Sequence, residues 1–152
     1  MGQELFDRLR SEHEQIKDIV FKMNDTSKEA LKARENLLLQ LQQILIPHMK
    51  AEESVFYPAL KDKSQSHDIA LEALEEHHVA DMVFKELQNT DASHDTWKPK
   101  AKVLMELLEH HIEEEESEVF ESAEEVFADE QMKDMYRAFQ SQEEVIRSRS
   151  AA

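Results

Sequence analysis

Two copies of one short motif constrain this chain more than any other feature of its sequence. His48 is followed four residues later by Glu52, and 63 residues further on His111 is followed by Glu115 at the same interval. The apolar residues around the two copies correspond in pairs: Leu41 with Leu104, Ile44 with Leu107, Leu45 with Leu108, and Phe56 with Val119. Residues four apart on an α-helix share a face, with Cβ atoms about 5–6 Å apart, so each pair can offer two ligands to one metal ion. The chain must therefore fold so that two helices present matching histidine and glutamate side chains.

The composition and the hydrophobic periodicity predict an all-α fold. One Gly and three Pro among 152 residues leave few breaks, and residues with high helix propensity dominate. No segment alternates apolar and polar residues as a half-buried strand would. Four stretches with helical apolar spacing lie at about 4–23, 28–57, 69–87 and 97–125, and the second is expected to stop before Pro58. Four long helices with short loops predict an up-down-up-down four-helix bundle.

A fifth, shorter helix is predicted after the bundle. Residues from Asp129 to about Val145 place four apolar residues on one face, and a polar tail follows: Met132, Met135, Tyr136 and Phe139. The chain is long enough for one domain, and nothing in its length requires a second. We therefore assign residues 1–127 to the bundle, and residues 128–152 to a short C-terminal helix and polar tail of the same domain.

Charge and cysteine content exclude several classes of function. A net charge of −16 at pH 7 opposes binding to a phosphate backbone, so no nucleic-acid partner is expected. No run approaches 18 apolar residues and the N-terminus lacks the pattern of a signal peptide, which predicts a cytoplasmic protein without a membrane partner. Because the chain has no cysteine, histidine and carboxylate are its only strong metal ligands.

Each of the four long helices places one histidine on its apolar stripe: His13, His48, His77 and His111. Burying them together with Glu52 and Glu115 would cost several kcal/mol apiece without partners, and the stripes offer no Lys or Arg. Two metal ions bridged by the two glutamates would satisfy every one of these groups. The alternative is a metal-free structural bundle in which these residues are satisfied core side chains.

Two of these histidines belong to doublets. The 63-residue repeat selects His111 over His110. His77 is preferred to His78 because the apolar residues that follow it match those after His13, although another alignment shifts the frame by one residue and leaves this choice open. The remaining polar candidates are expected at the surface, as a solvated acidic face and as plain surface histidines: Glu113, Glu114, Glu116, Glu118, His67 and His94.

The order of these residues resembles the hemerythrin-like, or HHE cation-binding, domain over about Leu5 to Phe127. The sequence from Glu52 to Pro58 is similar to the end of that family's second helix. The resemblance implies a carboxylate-bridged non-haem di-iron centre with an oxo or hydroxo bridge, although a manganese-containing pair has the same ligand preferences. It also implies the roles of terminal ligand for His13, His48, His77 and His111, and of bridging ligand for Glu52 and Glu115.

The chain departs from the oxygen-carrying members of that family. They have a histidine four residues after the helix-three ligand and an aspartate five residues after the helix-four histidine, where this chain has Asp81 and Glu116. The pattern is thus the variant with four histidines and two glutamates. Asp81 is either a further ligand or a carboxylate that orients one.

Three functions are compatible with such a centre. The first is binding or sensing of a small molecule, dioxygen or nitric oxide. The second is an enzyme that reduces peroxide, dioxygen or nitric oxide, which the missing fifth histidine favours. The third is iron storage or iron–sulfur repair, although the chain lacks the cysteine and the extra N-terminal domain expected of the repair branch. The sequence leaves the protein partner unknown, because the fifth helix can dock either on the bundle or on another protein.

Overall fold

The computed structural model describes residues 2–151, with side chains for residues 2–149, and this part of the chain forms five helices without a β-strand. Helix α1 is Glu4–Asn24, α3 is His67–Gln88 and α5 is Asp129–Ala151. Helix α2 consists of Leu31–Ala51, a π-helical turn at Glu52–Phe56, and Tyr57–Lys61. Helix α4 consists of Trp97–Glu114, a π-helical turn at Glu115–Val119, and Phe120–Val126. The predicted all-α class is confirmed.

The first four helices form a closed ring of neighbours. Helix α1 packs against α2 and α4, and α3 packs against the same two helices. Loops of a few residues join them, so consecutive helices are antiparallel neighbours and the predicted four-helix bundle is confirmed. Helix α5 lies across α1 and α2.

Two apolar layers form the core, one toward each end of the bundle. One is built around Leu9, Phe56 and Phe120, and the other around Ile16 and Leu45. A large apolar side chain that is fully buried contributes about 1.5–3 kcal/mol relative to an exposed one, so these layers hold the helices together without help from polar groups. A layer of buried polar side chains lies between them.

The structure extends two of the predicted helices. Helix α2 continues through Pro58 to Lys61, because Pro58 follows a π-helical turn in which the Tyr57 N–H bonds to the Glu52 carbonyl. Helix α5 continues to Ala151 rather than stopping near Val145. The second half of this helix buries the Glu143 side chain, and a buried polar residue does not contribute to apolar periodicity. The last residue of the predicted tail, Ala152, lies outside the described residues.

None of the helices in residues 2–151 combines the length and the apolar character needed to cross a lipid bilayer.

Candidate metal centre

Six predicted residues meet in the polar layer between the two apolar ones. All six are at most 5% exposed: His13, His48, Glu52, His77, His111 and Glu115. They form two groups of four, and both groups include Glu52 and Glu115. The ligand atoms within each group lie within 4.8 Å of one another. Two adjacent positions that share two carboxylates are the arrangement a bridged pair of metal ions requires.

The first group joins helices α1 and α2 to the two shared carboxylates. His13 Nε2 lies 3.1 Å from Glu115 Oε1, and His48 Nε2 lies 3.2 Å from Glu52 Oε1. The two imidazole rings meet edge to face, with centroids 5.0 Å apart. Both rings thus direct Nε2 toward the shared carboxylates.

The second group joins α3 and α4 to the same carboxylates. His77 Nε2 lies 3.2 Å from Glu52 Oε1, and His111 Nε2 lies 3.4 Å from Glu115 Oε2. The Nε2 atoms of His77 and His111 are 3.0 Å apart. Glu115 therefore offers one oxygen to each group, as a bridging carboxylate would.

Several of these buried atoms lack a hydrogen bond of acceptable geometry: His13 Nε2, both carboxylate oxygens of Glu52, and Glu115 Oε1. A buried polar atom without a partner costs about 1–3 kcal/mol, and more when it is charged. All of these atoms belong to residues of the two groups that share the glutamates, so two cations would satisfy them together. Imidazole nitrogen and carboxylate oxygen suit iron and manganese, so the residues fit the metal pair that the sequence implies.

The outer nitrogen of each histidine contacts a carboxylate on a neighbouring helix. The Nδ1–oxygen distances are 2.7 Å for His13–Glu116, 2.7 Å for His48–Glu12, 2.9 Å for His77–Glu53 and 2.7 Å for His111–Glu76. An ionised carboxylate can only accept, so each Nδ1 carries the hydrogen. In the neutral ring this leaves the Nε2 lone pair free for a metal ion, which is how outer carboxylates orient histidine ligands in metal sites.

The contacts follow the ring of helices in order. Each of the four links joins a different pair of neighbours: α1 to α2, α2 to α3, α3 to α4, and α4 to α1. We call them the four carboxylate–histidine links. They place all four imidazoles through a closed circuit of side chains.

Comparison with known proteins identifies the family. The family model for the hemerythrin HHE cation binding domain matches residues 4–123. The chain belongs to the hemerythrin HHE cation-binding family. A solved structure with the same fold is that of a hemerythrin HHE cation binding domain-containing protein, the Rv2633c homolog from Mycobacterium kansasii. It has a TM-score of 0.81 and 22% sequence identity, over 96% of this chain and 88% of that one. No curated protein matches the chain.

Membership of a cation-binding family agrees with the electrostatics of the site. Burial lowers the pKa of His111, but hydrogen bonds to Glu115 and Glu76 outweigh it and raise the pKa to about 10. The pKa of His48 is also raised, because Glu52 and Glu12 outweigh its burial. Without a cation these rings take up protons, so the glutamates create a site that attracts positive charge.

Tyr57 is a residue of the centre that periodicity did not reveal. It is fully buried, and its hydroxyl donates to Glu115 and lies 3.2 Å from His111 Nε2 and 3.4 Å from His77 Nε2. In a regular α-helix the five steps from Glu52 to Tyr57 would rotate the side-chain direction by about 500°, which leaves the two side chains about 140° apart. The π-helical turn from Glu52 brings Tyr57 back toward the centre.

The other sequence candidates lie outside the six-residue centre. His78 and His110 are exposed, unlike their doublet partners His77 and His111. Asp81 pairs with Lys85 at 2.7 Å and lines a surface cleft of about 350 Å³ that has His77 in its wall.

One expectation about the acidic face is wrong. Glu116 does not belong to a plain solvated face, because it forms the carboxylate–histidine link to His13. The other three side chains of that set do not take part in the four links: Glu113, Glu114 and Glu118.

A signal for the outer carboxylates was present in the sequence. Glu immediately precedes the histidine at Glu12-His13 and at Glu76-His77, and a second Glu follows the bridging one at Glu52-Glu53 and at Glu115-Glu116. The four links use these neighbouring glutamates. Each of these glutamates contacts a histidine on another helix. Its role therefore depends on how the helices pack and cannot be inferred from the dipeptide alone.

Proposed function

We propose that this family member holds two iron ions in the polar layer and binds dioxygen or nitric oxide there. His13 and His48 would bind one ion and His77 and His111 the other, with Glu52 and Glu115 bridging both. The observation that carries the proposal is the pair of four-residue groups that share two buried glutamates, three of whose four carboxylate oxygens lack a hydrogen bond. Iron in such a site supplies reversible one-electron chemistry and a coordination position for a diatomic ligand.

Tyr57 belongs to the proposed ligand set of the second ion. Its hydroxyl lies within 3.4 Å of both histidine Nε2 atoms of that group. Asp81 is an unfavourable candidate for this position, because it pairs with Lys85 at the surface. A phenol oxygen at His77 and His111 would give the second ion an oxygen donor that the first group lacks.

The chain's own residues explain how a small ligand would be selected and protected. The two apolar layers exclude bulk water from above and below the centre. The four links hold each Nδ1 as a donor, which keeps every Nε2 directed inward. Only a molecule of a few atoms can reach so enclosed a site, which favours dioxygen, nitric oxide or peroxide.

Reduction of peroxide is a second candidate, and the Tyr57 hydroxyl favours it. In this candidate Tyr57 is not a ligand but keeps its proton, which its hydroxyl beside the histidine nitrogens can donate to an oxygen atom that binds there. Lasting transfer of that proton commits the bound oxygen to reduction, whereas an oxygen carrier releases its ligand unchanged. The two candidates therefore differ in what becomes of the bound oxygen.

Metal analysis and rapid mixing test both candidates. Protein isolated from its own host should contain two iron ions per chain. Two manganese ions, or one ion of each metal, would change the proposed identity of the metal but would support the proposed two-metal site. The reduced protein is then mixed with dioxygen, nitric oxide and hydrogen peroxide in a stopped-flow instrument. A reversible adduct with dioxygen or nitric oxide supports the binding function, and continuous peroxide consumption when an external electron donor is added in excess supports the enzyme. Protein without bound metal would contradict both.

A further inference from the structure

Glu12 differs from the other three outer carboxylates in its burial. Its side chain is 3% exposed, whereas Glu116, Glu53 and Glu76 are 29%, 26% and 20% exposed. The difference arises because α5 lies across α1 and α2 at this point. His48, which Glu12 contacts, also meets the ring of Phe139 on α5 edge to face, with centroids 6.4 Å apart.

A charged network from α5 reaches Glu12. Arg8 Nε donates to Glu12 Oε2 at 3.1 Å, and Arg8 Nη2 donates to Glu143 Oε1 at 2.8 Å. Arg147 lies 3.7 Å from both glutamates. Glu143 is completely buried. Arg8 therefore holds the Glu143 carboxyl group of α5 next to the Glu12 carboxylate, which contacts His48.

The second oxygen of Glu143 indicates how the two carboxyl groups interact. Glu143 Oε2 is buried and has no hydrogen-bond partner. Glu12, His48 and Glu143 each bring one side-chain N or O atom within 4.8 Å of the others, so the two carboxyl groups meet beside the His48 ring. Burial and the neighbouring Glu12 raise the pKa of Glu143. Because Glu143 Oε2 has no other hydrogen-bond partner, a proton on this oxygen can be donated to Glu12. Glu12 then accepts from His48, Arg8 and Glu143, and three donors fix the orientation of its carboxylate.

We propose that Glu143 is a positioning residue of the metal centre: it holds Glu12 so that Glu12 fixes the His48 ring with Nε2 toward the metal. The proposal rests on the two-metal centre proposed above. It gives α5 a role in the chemistry of the site in addition to covering the bundle. Among the four carboxylate–histidine links, the Glu12–His48 link is the one that α5 buries and holds in place.

Zinc-loaded protein provides the test, because zinc accepts the same donors and is diamagnetic. Each ligating histidine then has an Nδ1–H proton whose exchange with water can be measured by NMR. The Glu143→Met variant keeps the volume of the side chain but removes its donor. We expect the His48 Nδ1–H to exchange about tenfold faster, with zinc release to a chelator accelerated to a similar degree. The same protons of His13, His77 and His111 should be unchanged.

Two further variants distinguish positioning from packing. In Glu143→Gln the amide can donate to Glu12 while its oxygen accepts from Arg8, so exchange at His48 should stay close to that of the wild type. Met132→Ala removes a buried side chain from the same helix, away from this network. It should lower the thermal midpoint without selective acceleration at His48. Circular dichroism establishes that all variants are folded.

Unchanged exchange at His48 in Glu143→Met would overturn the proposal, and so would equal acceleration in Met132→Ala, since α5 would then act only by packing. Failure of the proposed function is recognised separately. Suppose that the wild-type chain binds zinc but, when loaded with iron, does not react with dioxygen, nitric oxide or peroxide. The proposed function is then wrong, and the role of Glu143 stands. A wild-type chain that binds no zinc overturns the centre and the role of Glu143 together.

Discussion

The α1–α2 half of the bundle and the α3–α4 half contain the same motif but surround it differently. In the first half, Glu12 is buried under α5 and braced by Arg8. In the second, Glu76 is partly exposed and lies 3.6 Å from the exposed His110. Two halves with the same ligand types therefore differ at one outer carboxylate: Glu12 is shielded from water, whereas Glu76 is open to it.

The π-helical turns add a second difference between the halves. Tyr57 and Phe120 occupy equivalent places, each immediately after a π-helical turn that begins at a bridging glutamate. Tyr57 directs its hydroxyl to the histidines of the α3–α4 half. Phe120 has no hydroxyl, and it stacks on Phe6 with centroids 4.4 Å apart. The duplicated motif thus accounts for the two matching groups of ligand atoms, and the different neighbours of the shared glutamates, Tyr57 and Phe120, make the two groups chemically unequal.

The largest effect should come from the glutamates that connect the halves. Glu52→Ala or Glu115→Ala removes an oxygen ligand from both positions, so metal content should fall from two ions to nearly none rather than to one. Elemental analysis after gel filtration measures this. His67→Ala and His94→Ala are the matched controls and should keep both ions. One ion tightly held in both glutamate variants would show that the halves are independent sites.

The outer carboxylates should show the inequality of the halves. Glu12→Ala leaves the buried His48 without the partner of its Nδ1, whereas water can replace the partly exposed Glu76 at His111. We expect metal release to accelerate about 100-fold in Glu12→Ala and about tenfold in Glu76→Ala. Chelator competition measures both rates, with the exposed neighbour Glu75→Ala as the control. Equal acceleration in the two variants would contradict the comparison.

Tyr57→Phe should affect one half only. Loss of the hydroxyl is expected to accelerate release of one of the two metal ions by about tenfold and to leave the other unchanged, which gives two phases. Ferric wild-type protein should also have a visible phenolate absorption band that the variant lacks. Phe120→Tyr serves as the control on the other half and should keep the original band. A variant spectrum identical to that of the wild type would remove Tyr57 from the ligand set.

The smallest effect concerns the pH dependence of stability in the metal-free protein. Glu143 faces Arg8 and Glu12 on α1, His48 on α2 and Arg147 on its own helix. Its pKa of about 8 in the folded chain exceeds the ordinary value of 4.5. Between these values the folded chain holds a proton that the unfolded chain has released, so the free energy of unfolding falls as pH rises.

Glu143→Gln removes this group, so the decline in thermal midpoint between about pH 5 and pH 8 should become shallower. Thermal scans across that range measure the slope. The exposed Glu144→Gln should leave the slope as it is in the wild type. A wild-type slope in Glu143→Gln would mean that Glu143 has an ordinary pKa in the folded chain.

The sequence predicted what depends on regular helical geometry. The helices, the ring of four and the convergence of six side chains follow from apolar stripes and from the spacing of His48 and Glu52. Tyr57 was missed because a π-helical turn breaks that periodicity. Glu143 was missed because a buried carboxyl group leaves no apolar signal. The role of Glu116 depends on a contact with another helix, which spacing within one helix cannot reveal.

The closed circuit of carboxylate–histidine links has a consequence for unfolding. Withdrawing any one of α1 to α4 breaks two of the four links and also separates a histidine from the bridging glutamates. No single helix of the ring can therefore detach at low cost while the metal is bound, and the four should behave as one cooperative unit. Helix α5 packs only on α1 and α2 among the main contacts, so it can open as a separate, less stable unit. Partial unfolding would then begin at α5, on the side where it shields His48.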